Sequence, residues 1–500
     1  MSNYFIAIGG SGSKVLESWI HLCAAGLMPN NEDIHVLIVD PDGGNGNLDR
    51  ASKLFEYYMD LNQTENPSYV KFNDDIDFMK SKVSNHNLKA EYSLNDIVKE
   101  GKNLRAVLEL DSNRRNPVVE LYRALYTSDE LQEELARGFK GHPAIGAAVF
   151  ANNLTENNKW DKFVTKIRED AKKGDVKVFL AGSIFGGTGA AGVPNIAKLI
   201  KADMSGEDRD NGVTENIVLG GGLVLPYFYC KPDADTDLSN DILYVTSEEF
   251  LHNTQAALKY YDLQLKDTTV YNSLYLVGSE NDTNNVVKFF TGAGNQKNDA
   301  HIVDLYTAMG AMHFFAQEKN ISEPKYYYSG YKGDYITWDD LPAIDGAREE
   351  VANKIKKYIT FALAYKEIIH DHLCQVKNAD ENNKNKKFFS LFSSSKIANP
   401  TWYINFRNSY KNCEDLYSRD ERFYEYVEKI LVWMGQICKN ETRFYDSNIF
   451  DSEKTSRDLL MQSGIDLISV ADKMNSYRFN AQHSNGDSFG ALVSALYDCC

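Results

Sequence analysis

The chain has 500 residues, with 54 lysines and arginines against 71 aspartates and glutamates, a formal net charge of −17. That length exceeds one ordinary hydrophobic core and predicts two or three domains. The negative field repels phosphate backbones and anionic lipid, which argues against general nucleic-acid or membrane binding but leaves room for one nucleotide held by backbone amides.

Hydrophobic residues at 43% and aromatics at 12% exclude a disordered chain. Seven cysteines (Cys23, Cys230, Cys374, Cys413, Cys438, Cys499 and Cys500) are scattered without a C-x-x-C pair. An odd count in a long chain speaks against a disulfide framework and for a reducing compartment. Residues 1–8 carry no basic leader or cleavage site. No apolar run reaches the roughly 20 residues that span a bilayer. A soluble, cytoplasmic protein without a membrane span is therefore expected. The terminal Cys499-Cys500 lacks the prenylation pattern.

In chain order, residues 4–8 form a short apolar run that ends in Gly9-Gly10-Ser11-Gly12-Ser13. A helical pattern follows, with Val15, Leu16, Trp19, Ile20 and Cys23 on one face. The run 35–40 then reads as a strand closed by Asp40 and a glycine-rich turn. Strand, glycine loop, helix and strand ending in Asp open a doubly wound nucleotide fold. Residues 44–137 are polar and mostly helical in pattern. Thr127-Ser128-Asp129-Glu130 offers a capping box to a helix that should stop at Gly138. A Gly/Pro loop spans 138–146. A helix at 160–173 leads to a strand at 176–181, whose loop, 182–189, opens a helix from Ala190 to about Ala202. Strands follow at 217–225 and 273–277, with a helix at 248–261 between them. Residues 301–316 read as a long, buried helix. After about residue 317 the texture changes to amphipathic helices at 346–374 and 416–438, separated by a polar linker at 377–387.

Phosphate needs many N–H donors at close range, and only glycine lets a backbone come so near. A helix N-terminus behind the loop adds unpaired amides and the positive end of its dipole. Gly9, Gly10, Ser11, Gly12 and Ser13 have this setting, and so do Gly186, Gly187, Thr188 and Gly189. On parallel strands of one domain, the two loops could converge on one polyphosphate. The P-loop pattern is absent, because Lys14 follows Ser13 rather than a sixth-position glycine. The dinucleotide fingerprint is half present: Gly10 and Gly12 fit, Val15 replaces the third glycine, and Asp40 could meet a ribose hydroxyl. That reading leaves the second loop unexplained.

Phe185-Gly186-Gly187-Thr188-Gly189-Ala190-Ala191-Gly192 resembles the signature phosphate loop of the tubulin/FtsZ superfamily, G-G-G-T-G-[ST]-G, with Phe185 in place of the first glycine. The flavour is that of the divergent bacterial tubulin-like proteins. Residues 9–13 resemble that family's first phosphate loop. Gly141-His142-Pro143-Ala144-Ile145-Gly146 is similar to the γ-phosphate-sensing G-x-N-P-x-x-G, with His142 for asparagine. Leu225-Pro226-Tyr227-Phe228-Tyr229 is similar to the fifth loop, where Cys230 replaces the ribose-binding acid and Asp233, Asp235 or Asp237 could substitute. The resemblance covers about residues 1–340. It implies GTP or GDP as ligand, with Mg²⁺ carried in on the phosphates. It puts base recognition near Ser279-Glu280-Asn281 and at Asn298 and Asp299. It also implies hydrolysis between subunits: Ile336-Thr337-Trp338-Asp339-Asp340-Leu341 resembles the loop whose carboxylate polarises water on the next subunit's nucleotide.

Plainer readings stand beside these. Asp339 and Asp340 read equally as a helix N-cap and its solvated neighbour. His142 reads as a loop hydrogen-bonder rather than a catalyst. His370 and Cys374 share a helix face, but two ligands without a third define no protein metal site. The aromatics of 410–433 read as core or partner surface.

The expected fold is thus α/β, a tubulin/FtsZ-like Rossmann-type GTPase domain with a parallel sheet followed by a mainly helical C-terminal region. Residues 1–316 form the GTP-binding domain with its central helix. Residues 317–345 connect and carry the catalytic loop, and 346–500 form the helical domain. Three functions are compatible with it. One is a GTPase that self-assembles head to tail. Another is a non-enzymatic GTP-binding switch or scaffold whose residues 346–500 engage a partner. The remote third is an NAD(P)-dependent oxidoreductase.

Overall fold

The fold is taken from a computed structural model. It describes residues 2–28, 34–72, 75–81, 83–84, 93–94, 97–98, 101–111, 117–204, 213–232, 247–267, 270–279, 286–289, 296–317, 325–328, 341–342, 344, 348–378, 401–410, 413–440, 466–477 and 488–500. Six strands make one all-parallel sheet. They are β1 (Ser2–Ile8), β2 (Ile34–Val39), β3 (Val176–Ser183), β4 (Ile217–Val224), β5 (Ser273–Val277) and β6 (Lys325–Tyr328). Their spatial order is β6-β5-β4-β3-β1-β2, and the two-residue strands Val83–Ser84 and Ser93–Leu94 both pair with β2. The four strands β1 to β4 are buried almost throughout, as continuous apolar runs in a parallel sheet covered on both faces should be.

Side chains of β1 alternate between two cores. Phe5 and Ala7 join one, while Tyr4, Ile6 and Ile8 join the other. Helices α1 (Gly9–Ala24) and α2 (Gly46–Asn62) cover the first face. Helices α3 (Pro143–Asn153), α4 (Asn158–Ala171) and α5 (Thr188–Met204) cover the second. Helix α6 (Ser247–Asp267) precedes β5, and α7 (Ile302–Ala316) returns to the first face.

Later helices lie on that first face too. Helix α8 (Arg348–Ala364) runs through a π-helical segment, Tyr365–His370, into α9 (Asp371–Asn378). Then come α10 (Thr401–Tyr410), α11 (Glu414–Asn440), α12 (Leu467–Ser476) and α13 (Ser488–Cys499). No strand occurs among the described residues after Tyr328. Their aromatic side chains join the same core as Phe5 and Trp19. This sandwiches α1, which is why 14 of its 16 residues are buried rather than the single face expected from periodicity. Its polar residues find partners in the upper layer. Ser18 accepts from the Trp433 indole at 3.0 Å, and His21 Nδ1 lies 3.0 Å from the Tyr358 hydroxyl. Burial, with Arg50 nearby, drops the His21 imidazole to about 3, so it stays neutral. Within 346–500, expected as a domain of its own, the buried side chains of the described helices fall in the same hydrophobic cluster as the first face of the sheet.

Two further departures have local causes. The capping box at Thr127 and Glu130 forms, but its helix is only Ser128–Gln132. The chain leaves it because Leu135 N donates to Lys102 O and Asn103 bridges Glu134, pulling the segment into extended backbone before Gly138. The expected connecting segment 317–345 contributes β6, so the sheet extends past residue 316. The linker at 377–387 lies outside the described residues from 379 onward. Among the described residues no helix is long and apolar enough to cross a membrane.

Candidate functional site

The strand order reverses between β1 and β3, which run side by side with Ser2 opposite Val176 and Ala7 opposite Ala181. In open α/β sheets, ligand crevices form at such a reversal, beyond the carboxyl ends of the strands. Both glycine loops leave from there. Helix α1 starts at Gly9 directly, in the left-handed region at φ +71°, and no side chain caps it. Its first amides therefore have no intrahelical partner. A Cβ on Gly9 would sit 3.3 Å from both Gly189 N and Thr188 Cβ, so the two loops touch. Gly187 is as constrained: its Cβ would lie 2.8 Å from the Phe139 carbonyl carbon and 2.9 Å from Gly141 N. Three loops therefore close on one another through positions where only glycine fits.

Together they frame a cleft with about 860 Å³ of atom-free space, partly open to solvent. Gly9, Gly10, Ser11, Asp40, Gly186, Gly187, Thr188, Gly189 and Asn298 all line it. The remaining expected residues do not. Gly12 packs behind, where a Cβ would meet Ala181 O at 2.4 Å, and the Ser13 hydroxyl turns back to Gly9 O at 3.1 Å. Ala190 sits in the first turn of α5, beyond the lining. Gly141 supports Gly187 from outside the cleft. His142 is the N-cap position of α3, with Nδ1 3.9 Å from Glu130. The third loop instead presents Arg137, Gly138, Phe139 and Lys140. Asp299 is partly exposed and outside the lining. Asp339, Asp340, Asp233, Asp235, Asp237, Glu280 and Asn281 lie outside the described residues.

The walls carry charges that the motifs did not single out. Lys14, in the first turns of α1, is buried 3.0 Å from the Asp304 carboxylate of α7 and donates to the Tyr227 hydroxyl at 2.6 Å. Burial alone would lower the ammonium's pKa, but Asp304 and Tyr227 outweigh it and the net shift is upward. Lys140 pairs with Glu133 at 2.5 Å, whereas the exposed Arg137 makes no ion pair among the described residues. On the opposite wall Asp40 accepts from Asp42 N at 3.1 Å and from Asn45 Nδ2 at 3.3 Å. Burial, with some help from the Asp42 charge, pushes the Asp40 carboxyl up to about 8. Asn45 caps α2 and reaches Gln296, while Asn47 accepts from Asn298 N at 2.8 Å. Arg50 bonds Asn298 O at 2.8 Å and Glu17 at 2.8 Å, which ties the 296–298 segment to the floor.

Such a cleft suits a polyanion. Two helix N-termini and close glycine backbone supply donors, and Arg137 supplies positive charge. Among the described residues no group of three or more His, Cys, Asp or Glu could hold a metal ion. A divalent cation near Asp40 and Asp42 would need oxygen ligands from phosphate and water as well. Of the lining residues missed from sequence, Asn45 had a readable signal, an Asn after Gly43-Gly44 at the start of a helix. Lys14, Asn47 and Arg137 had none, because their roles depend on partners far along the chain. No protein-family model matches the chain, and no curated protein matches it.

Proposed function

We propose that this cleft binds a nucleoside triphosphate, GTP by the resemblance of its loops to tubulin and FtsZ, with Mg²⁺ carried in on the phosphates. The contact of Gly9 with Thr188 and Gly189 is the observation that carries this reading, because it brings both glycine loops within reach of one phosphate chain. The strand reversal between β1 and β3 supports it. In this reading the amides of residues 9–11 and 186–189 cradle the phosphates, Arg137 offsets their charge, and Asn298 stands near the base. Hydrolysis is assigned to a head-to-tail assembly in which Asp339 or Asp340 of one subunit orients water at the nucleotide of the next.

One observation favours a second reading, a nucleotide-dependent switch or scaffold without hydrolysis. Helix α1 starts in the cleft and is bonded through Ser18 and His21 to Trp433 and Tyr358 of the C-terminal helices. A ligand that shifts α1 would bias the surface built by residues 346–500, where a protein partner could read it.

The test for both is the small molecule released when purified protein is denatured, followed by calorimetric titration of the emptied protein. GTP or GDP is expected. Recovery of NAD(H), or binding of NAD(H) in preference to GTP, would replace the nucleotide assignment with the oxidoreductase one. Light scattering with GTP, GDP and a slowly hydrolysed analogue then separates the assembling GTPase from the switch.

A further inference from the structure

Away from the cleft, the helical layer holds a chain of reactive side chains that nucleotide binding leaves unused. It is organised around the π-helical segment Tyr365–His370, a widened turn of a kind that often accompanies functional sites. Tyr365 and His370 from this turn meet Asp420 of α11, whose carboxylate is fully buried. Asp420 Oδ1 accepts from the Tyr365 hydroxyl at 2.5 Å, and Oδ2 accepts from the Tyr410 hydroxyl at 2.7 Å. The same Oδ2 lies 3.2 Å from His370 Nδ1. A carboxylate on that side makes Nδ1 the protonated nitrogen and leaves the Nε2 lone pair free to accept. Facing Nε2 at 3.4 Å is Sγ of Cys374, one helical turn further on and only partly buried. The imidazole is held flat against Tyr424, with ring centroids 3.7 Å apart and planes 4° from parallel.

Nucleophile, base and orienting carboxylate thus stand in the order that activates a thiol. We propose that Cys374 is a base-activated thiol, with His370 as its base, and that it is the site at which hydroperoxides modify this protein. The electrophile must be small, since Cys374 is only partly exposed. It also needs a proton donor for its leaving oxygen, which a protonated His370 supplies. The Cys374 S–H proton passes to His370 Nε2, and the thiolate attacks one peroxide oxygen. The O–O bond breaks as the S–O bond forms, and the departing alkoxide or hydroxide takes the proton from His370. Sulfur is oxidised by two electrons to sulfenic acid, and the hydroperoxide is reduced to an alcohol or water.

The test measures the iodoacetamide labelling rate of Cys374 by peptide mass spectrometry at neutral pH. The same cysteine in the urea-unfolded chain is the reference. Native Cys374 is expected to label about tenfold faster than the unfolded residue despite its partial burial, and His370→Gln to remove that advantage. Nitrogen NMR of His370 should show Nδ1 protonated and Nε2 bare. Dimedone trapping after hydrogen peroxide should mark Cys374 before the other cysteines. Slower labelling in the native protein, a rate unaffected by His370→Gln, an Nε2–H tautomer or a different first dimedone adduct would each overturn the proposal. Should His370→Gln fail to fold by circular dichroism, the native-to-unfolded ratio and the dimedone adduct decide it.

Discussion

Substituting Lys14 tests the electrostatics beneath the first glycine loop. The ammonium lies 3.0 Å from Asp304 and 2.6 Å from the Tyr227 hydroxyl, with the Lys14 and Asp304 side chains 4% and 0% exposed. Lys14→Met keeps the length of the side chain and removes its charge. Asp304 would then hold a buried charge without its lysine, and its Oδ1 already has no hydrogen-bond partner among the described residues. Breaking a buried pair in this way costs about 3–5 kcal/mol. Removing both charges is a different perturbation, because replacing a buried pair by apolar side chains of similar volume is often neutral or stabilising by about 1–4 kcal/mol. Asp304 also accepts from His301 N at 2.9 Å, closing the capping box of α7, and losing a cap costs about 1 kcal/mol. The double variant Lys14→Met/Asp304→Leu should therefore recover most of what the single variant loses. Urea unfolding followed by far-UV dichroism reads this as a midpoint shift at constant m. A single variant within about 1 kcal/mol of the parent, far below the expected cost of breaking a buried pair, would refute the reasoning. So would a double variant less stable than the single.

Three other perturbations address the cleft. Because burial raises the Asp40 carboxyl to about 8, the folded state holds this proton more tightly than the unfolded chain does. Its contribution is fully present below the ordinary carboxylate pKa of about 3.9 and is lost as pH rises toward 8, at up to roughly 1.4 kcal/mol per pH unit. Asp40→Asn should flatten that slope in ligand-free urea midpoints between pH 5 and 8.5, and an unchanged slope would show that Asp40 does not titrate there. Gly187→Ala forces a Cβ within 2.8–2.9 Å of Phe139 and Gly141 backbone. It should cost about 1–3 kcal/mol and lower nucleotide affinity at least tenfold by calorimetry; an unaltered affinity would remove the second loop from the site. Asp339→Ala/Asp340→Ala should retain nucleotide binding while abolishing a GTP hydrolysis rate that rises per molecule with protein concentration. A flat rate that survives the substitution would discard the shared site.

What the sequence disclosed follows from how local each signal is. Continuous apolar runs identified β3, β4 and β5 nearly to the residue, because parallel strands buried on both faces leave an uninterrupted signature. The capping box at Thr127 was legible for the same reason: all its parts lie within four residues. Glycine spacing located both loops of the cleft. Long-range pairing was not legible. Nothing near Lys14 announces Asp304, nor does anything near Ser18 announce Trp433, since each pair joins across hundreds of positions. That also explains why α1 was read with one buried face when the C-terminal helices bury the other. The third loop was assigned to Gly141 and His142 by their letters. The cleft is lined instead by the residues just before them, since the left-handed turns at Gly138 and Gly141 set 137–140 toward the cleft.

The most direct measurement is a crystal structure with a slowly hydrolysed GTP analogue. The account predicts one triphosphate touched by Ser11 on one side and Thr188 on the other. A nucleotide seated elsewhere, or gripped by only one of these two turns, would contradict it.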